Sequence, residues 1–131
     1  MQNKNILIID DDPAMIKLFE LVAKKEGFNV IAAADGAEGL KKFNKQEFVL
    51  VITDLKMPVM DGIEFIKQAR KSPKFMNFPF VIVTGNFKEF SAEVALLKNL
   101  TIMEKPIKQS DLRGLLNNSL TTPSMDKTFN V

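Results

Sequence analysis

Phe48-Val49-Leu50-Val51-Ile52-Thr53-Asp54 is the stretch on which the fold turns. Five apolar residues in a row, four of them β-branched or aromatic with no polar alternation, predict a strand buried on both faces. Such strands belong to parallel sheets covered by helices on either side. The run then stops abruptly in a hydroxyl and a carboxylate. Working outward, the same kind of run recurs at Ile6-Leu7-Ile8-Ile9, Val30-Ile31-Ala32-Ala33, Phe80-Val81-Ile82-Val83 and Leu100-Thr101-Ile102-Met103.

Helical patterns lie between these runs. Asp12-Pro13 reads as an N-cap followed by proline at the first helical position, with Met15, Leu18, Phe19 and Val22 on one face and Gly27 as the stop. Asp35 and Glu38 have the spacing of a capping box ahead of Leu40 and Phe43. Asp61-Gly62 opens a third helix with Phe65, Ile66 and Ala69 inward, ending near Ser72-Pro73. A fourth is expected near Phe87 to Lys98. Ser110 is expected to cap the last, with Leu112, Leu115, Leu116 and Leu120 at helical spacing. Five β-α units imply right-handed crossovers and an α/β fold with helices on both faces of one sheet. Residues 1–120 are therefore expected to form one domain. Thr121 to Val131 is polar, contains Pro123, shows no periodicity, and reads as a flexible tail or a truncated linker.

Composition agrees with one compact domain. The 131 residues are 46% hydrophobic and 26% charged, with net charge +2 and no concentrated basic stripe. Direct nucleic-acid binding is thus not expected, because phosphate recognition needs clustered positive charge. There are no cysteines and no histidines, which excludes disulfides, thiolate chemistry, imidazole bases and histidine metal ligands. No segment has the length of a signal-peptide core or a membrane span, so a soluble cytoplasmic protein without membrane association is expected.

In open α/β sheets the ligand site lies beyond the carboxyl ends of the strands. Asp10-Asp11 ends the first strand, Thr53-Asp54 the third, Thr84-Gly85 the fourth and Glu104-Lys105-Pro106 the fifth. The second strand ends in Ala33-Ala34 and contributes no such group. If strands one, three, four and five adjoin, three carboxylates, a hydroxyl and an ammonium converge. At ~4 Å two like charges repel by about 4 kcal/mol at an effective dielectric near 20. One lysine cannot neutralise three carboxylates, so a hard divalent cation with oxygen ligands is expected, and Mg²⁺ is the ordinary choice beside phosphate chemistry. Taken singly, Asp12 and Asp61 are explained as helix caps and stay outside the site.

At these residues the sequence resembles the receiver domains of two-component response regulators. The resemblance covers about residues 4 to 120. It is carried by Ile8-Ile9-Asp10-Asp11-Asp12-Pro13, Thr53-Asp54-Leu55-Lys56-Met57-Pro58-Val59-Met60-Asp61-Gly62, Val83-Thr84-Gly85 and Glu104-Lys105-Pro106, in that order. It implies a flavodoxin-like three-layer sandwich with a doubly wound parallel sheet in the order 2-1-3-4-5. It also implies Asp54 as phosphoacceptor, Asp11 and Asp54 as direct Mg²⁺ ligands, Asp10 acting largely through water, and the backbone carbonyl of Lys56 as a further ligand. Thr84 would follow the phosphoryl group, Lys105 would be its counter-charge, and Pro106 would follow a cis bond. A histidine kinase or histidine phosphotransfer protein would be the donor, and the output would be a switched protein–protein interaction with a downstream protein. A phosphorylation-dependent homodimer is one form that output could take. Such a chain is a signalling phosphoacceptor rather than an enzyme, with self-catalysed phosphotransfer and slow autodephosphorylation at most.

Two positions depart from the family's pattern. Three residues before Lys105, where receivers often carry Tyr or Phe, stands Ile102, which cannot act as an aromatic gate. Leu96-Leu97-Lys98-Asn99-Leu100 lacks the Gly-Ala turn common before the fifth strand. The Lys56 side chain is expected beside the phosphoryl site, where it would alter aspartyl-phosphate lifetime in a direction the sequence leaves open. Phe87 and Phe90 are divided between core and an exposed output face. The competing reading is a pseudo-receiver binding module not controlled by phosphorylation, and either a single-domain regulator or a receiver from a longer protein fits 131 residues. A phosphatase of the aspartate-nucleophile type is disfavoured because Asp54-Leu55-Lys56 lacks Asp-x-Asp. A flavodoxin-like FMN carrier is disfavoured because acids replace the phosphate loop after the first strand.

Overall fold

In the computed structural model residues 3–121 are described, with side chains through residue 117. Strands β1 (Asn5–Ile9), β2 (Asn29–Ala33), β3 (Leu50–Thr53), β4 (Phe80–Thr84) and β5 (Leu100–Glu104) alternate with helices α1 (Pro13–Lys25), α2 (Gly36–Phe43), α3 (Gly62–Ala69), α4 (Phe87–Ala95) and α5 (Gln109–Thr121). The strands form one parallel sheet in the order β2-β1-β3-β4-β5. The expected α/β class and strand order are both present. Of the tail expected from Thr121, Thr121 itself is the last residue of α5, and residues 122–131 lie outside the described residues.

The unbroken apolar runs have a plain cause. Side chains alternate faces along a strand, so Leu7, Ile9, Val51, Phe80 and Ile82 enter one core layer, while Ile6, Ile8, Leu50, Ile52, Val81 and Val83 enter the other. The first layer is closed by α2, α3 and α4 through Phe43, Phe65, Ile66, Ala69, Phe90 and Val94. The second is closed by α1 and α5 through Phe19, Val22, Ala23, Leu112, Leu115 and Leu116. Each such large apolar side chain contributes roughly 1.5–3 kcal/mol when removed from water. Phe90 is thus core, and Phe87 is half-buried against the same layer.

Local signals account for most helix ends. The Asp12 carboxylate accepts the Ala14 N–H at 3.0 Å ahead of Pro13. Gly27, with φ 87°, closes α1 in a Schellman motif: its N–H donates to the Lys24 carbonyl at 3.1 Å and that of Phe28 to Ala23 at 2.9 Å. Three expectations need correction. Ser110 lies inside α5, whose first residue is Gln109; the cap-like bond runs from the Lys108 N–H to Asp111 Oδ2 at 3.3 Å. At α2 the Asp35 carboxylate accepts from the Glu38 N–H, but Glu38 reaches back to the Ala34 N–H rather than to Asp35, so the box is displaced by one residue. The fourth helix ends at Ala95, three residues earlier than expected, and the chain turns through Asn99 with φ 57° into β5.

Candidate functional site

The register of the sheet brings the predicted residues to one edge. Ile9 pairs with Thr53, so Asp10 and Asp54 emerge side by side, their backbone N–H groups held by the Ala33 and Ile9 carbonyls at 3.0 and 2.9 Å. Thr84 pairs with Glu104, which sets Lys105 next to them. Asp10, Asp54 and Thr84 are buried, whereas Asp11 is exposed. Carboxylate oxygens of Asp10, Asp11 and Asp54 all lie within 4.8 Å of one another.

Charge at the site is shared unevenly. Lys105 Nζ donates to Asp54 Oδ2 at 2.9 Å and to Asp10 Oδ2 at 3.1 Å. The opposite oxygens are held by the backbone: Asp12 N–H donates to Asp10 Oδ1 at 2.9 Å, and Leu55 N–H to Asp54 Oδ1 at 2.6 Å. Burial raises the Asp10 pKa above the ordinary carboxylate value, and the Asp12 N–H and the Lys105 charge only partly oppose it. For Lys105 burial pulls the pKa down, but the hydrogen bond and charge of Asp54, with those of Asp10, outweigh it and raise the ammonium above its usual range. Two buried carboxylates around one ammonium, with a third beside them, leave an uncompensated negative charge. The donor set is hard oxygen only, which suits Mg²⁺ and suits no soft metal.

Several groups that position the site were not singled out from the sequence. The Thr53 hydroxyl donates to the Asp54 carbonyl at 2.8 Å and is itself fully buried. The Gly62 N–H donates to the Leu55 carbonyl at 2.8 Å, and a Cβ at Gly62 would stand 2.1 Å from the Asp54 carbonyl oxygen. Only glycine permits that approach of α3 to the end of β3. The Asp-Gly pair was legible as a helix start, but its contact with Asp54 needed the third dimension. Asp61 caps α3 by accepting the Glu64 N–H at 2.8 Å and takes no place among the converging acids.

The remaining predicted residues make other contacts. Thr84 Oγ1 accepts the Asn86 N–H at 3.0 Å, at the start of a helix that lacks a side-chain cap. Lys56 is exposed, and its Nζ lies 3.4 Å from Glu89 Oε1 on α4. The Lys105-Pro106 peptide bond is cis. Ile102 is half-buried in the edge strand β5 and packs against the α2–α4 core layer.

The fold and sequence are similar to those of known proteins. Residues 6–117 match the family model described as the response regulator receiver domain. The chain is 32% identical over 128 residues to the Escherichia coli K12 transcriptional regulatory protein GlrR, covering 95% of this chain and 28% of that protein. It therefore spans less than a third of that curated relative. Among solved structures, a receiver domain protein (CheY-like) of Methanospirillum hungatei JF-1 is 30% identical with a TM-score of 0.76, covering 93% of this chain and 97% of that one. The chemotaxis response regulator CheY4 of Vibrio cholerae is 26% identical with a TM-score of 0.77, covering 90% and 99%.

Proposed function

Because this chain belongs to the response regulator receiver family, we propose that Asp54 accepts a phosphoryl group from a phosphohistidine donor and that the modified domain switches protein–protein contacts. The observation that carries this is the position of the Asp54 carboxylate. It is buried at the end of β3, gripped by Leu55 N–H at 2.6 Å and Lys105 Nζ at 2.9 Å, within 4.8 Å of two further carboxylates.

A carboxylate oxygen of Asp54 attacks phosphorus, the P–N bond to the donor imidazole breaks, and its electron pair stays on nitrogen, which picks up a proton. The product is an acyl phosphate. Phosphoryl transfer of this kind is accelerated mainly by positioning and by charge neutralisation. The Leu55 N–H fixes the orientation of the Asp54 carboxylate, and Lys105 supplies positive charge beside it. The Thr84 hydroxyl, which spends a lone pair on Asn86, keeps its proton for donation to a phosphoryl oxygen. Asp10, Asp11, Asp54 and the Lys56 carbonyl would hold Mg²⁺, which neutralises phosphoryl oxygens when bound. The 131 residues contain no histidine, so the donor imidazole belongs to a histidine kinase or phosphotransfer protein. Among the described residues no helix is long and apolar enough to cross a membrane, which accords with action in the cytoplasm, where kinase and Mg²⁺ meet.

Incubation with acetyl phosphate and Mg²⁺, followed by intact mass, tests the proposal. One added phosphoryl group is expected, absent in Asp54→Asn and absent in EDTA. A chain that stays unmodified by small donors and by kinases alike would instead be a pseudo-receiver.

A further inference from the structure

The loop from β3 to α3 holds one residue in a conformation its side chain disfavours. The Met60 N–H donates to the Pro58 carbonyl at 2.8 Å, closing a three-residue turn around Val59, whose φ is 70°. This is the γ-turn with positive φ, the rare and strained hand. For a β-branched residue a positive φ is a genuine outlier. The turn is anchored on both sides. The Met60 carbonyl accepts from the Gly36 N–H at 2.9 Å, and Met57 and Met60 pack against the core. Val59 itself is held outward, 85% exposed.

A lone exposed apolar residue is ordinary, and so is a strained residue that a fold cannot avoid. Here both costs fall on the same side chain, at a position where Asn or Gly would carry neither. Strain that persists in this way gathers at functional surfaces. The place of Val59 says which surface. Asp54 is only 6% exposed, so a donor imidazole reaches it only if the donor's surface closes over the loops that follow β1, β3 and β5. Val59 is five residues from Asp54 in one of these loops, a separation of at most ~18 Å even if fully extended. A patch of ~800 Å² per partner, the ordinary size of a specific interface, has a radius of about 16 Å. The Gly62 N–H to Leu55 carbonyl bond folds the loop back onto the end of β3, and Val59, three residues from Gly62, is at most ~11 Å from that contact, inside such a patch.

We propose that Val59 is a docking residue for the phosphoryl donor, an apolar contact pre-set by the γ-turn to enter an apolar depression beside the donor's phosphohistidine. The inference rests on Asp54 being the acceptor. It adds a recognition element that acts on protein donors and has no part in the chemistry.

Val59→Asn and Val59→Ile separate the possibilities, since Asn tolerates the left-handed backbone and Ile keeps the apolar surface. With acetyl phosphate and Mg²⁺, wild type and both variants should gain the phosphoryl group at rates within twofold. A phosphorylated histidine phosphotransfer domain, chosen for its transfer to the wild-type chain and used below saturation, should phosphorylate Val59→Asn at least about tenfold more slowly, the scale expected from losing one buried valine contact. Val59→Ile should stay within twofold of wild type, and Val59→Asn should melt no lower than wild type. Wild-type transfer to Val59→Asn would overturn the proposal, as would equal slowing with acetyl phosphate, which would place Val59 in the chemistry. If acetyl phosphate fails to modify even the wild type, the acceptor role of Asp54 falls first and this inference with it.

Discussion

Replacing Lys105 with methionine removes the one ammonium that two buried carboxylates share. Its Nζ lies 2.9 Å from Asp54 and 3.1 Å from Asp10, and the three side chains are 21%, 7% and 3% exposed. At an effective dielectric near 20 each contact is worth roughly 5–6 kcal/mol of Coulomb attraction. Desolvation of the ammonium removes several kcal/mol of that, and breaking a buried pair by deleting one partner typically costs about 3–5 kcal/mol. A loss of that size is expected for Lys105→Met at neutral pH in EDTA, read by urea unfolding with far-UV circular dichroism. Two further arms bear on the cause. On the proposed function Mg²⁺ would bind the folded carboxylate cluster and compete with Lys105 in the wild type, so it should raise the melting temperature more in the variant. Acid should also help the variant more. The Asp10 pKa is already raised in the folded state, chiefly by burial, and loss of Lys105 raises it further. A carboxylate with a folded pKa above its unfolded value binds more protons when folded, so stability rises as pH falls through the folded value. A loss below about 1 kcal/mol, with equal Mg²⁺ increments in both proteins, would refute the view that Lys105 compensates converging acids.

Other substitutions probe separate links. Gly62→Ala would put a Cβ 2.1 Å from the Asp54 carbonyl oxygen; urea unfolding should show a loss of at least about 1–3 kcal/mol, and the Mg²⁺-induced rise in melting temperature should shrink as β3 and α3 separate. Glu38 is held below its ordinary pKa first by the Ala34 N–H and then by Lys42. Its contribution is present above the ordinary value and is lost as pH falls through the depressed one, so Glu38→Gln should flatten the fall of melting temperature in acid. Arg70 donates to the Phe78 and Asn99 carbonyls at 3.0 and 3.1 Å and lies over the Phe80 ring. Arg70→Met should lower the urea midpoint by the equivalent of about 1–3 kcal/mol; an unchanged midpoint would mean that water takes over both acceptors.

Much of this protein was legible in one dimension because its determinants are local. Continuous apolar runs such as Phe48 to Ile52 specify buried parallel strands, and Asp12-Pro13, Asp61 and Gly27 mark helix ends through bonds spanning two to five residues. Asp10, Asp54, Thr84 and Lys105 could be singled out because a parallel sheet delivers every strand end to the same side. One error came where two local signals competed. Ser110 and Asp111 both have capping chemistry, and the helix begins one residue before Ser110 because Lys108 and Asp111 satisfy the end.

Register, distance and strain belong to the tertiary structure. The sequence determined that three acids, a hydroxyl and an ammonium end their strands. It did not determine that one Lys105 would bridge Asp10 and Asp54 while Asp11 stays in solvent, since charge sharing depends on side-chain separations set by sheet register. It marked Gly62 as a helix start, and only packing showed that α3 approaches the Asp54 carbonyl too closely for any other residue. In sequence Val59 is one more apolar residue between Pro58 and Met60. Its role as the strained, outward point of the site's rim came from hydrogen bonds to Pro58 and Gly36, which fix a backbone angle that valine would not choose alone.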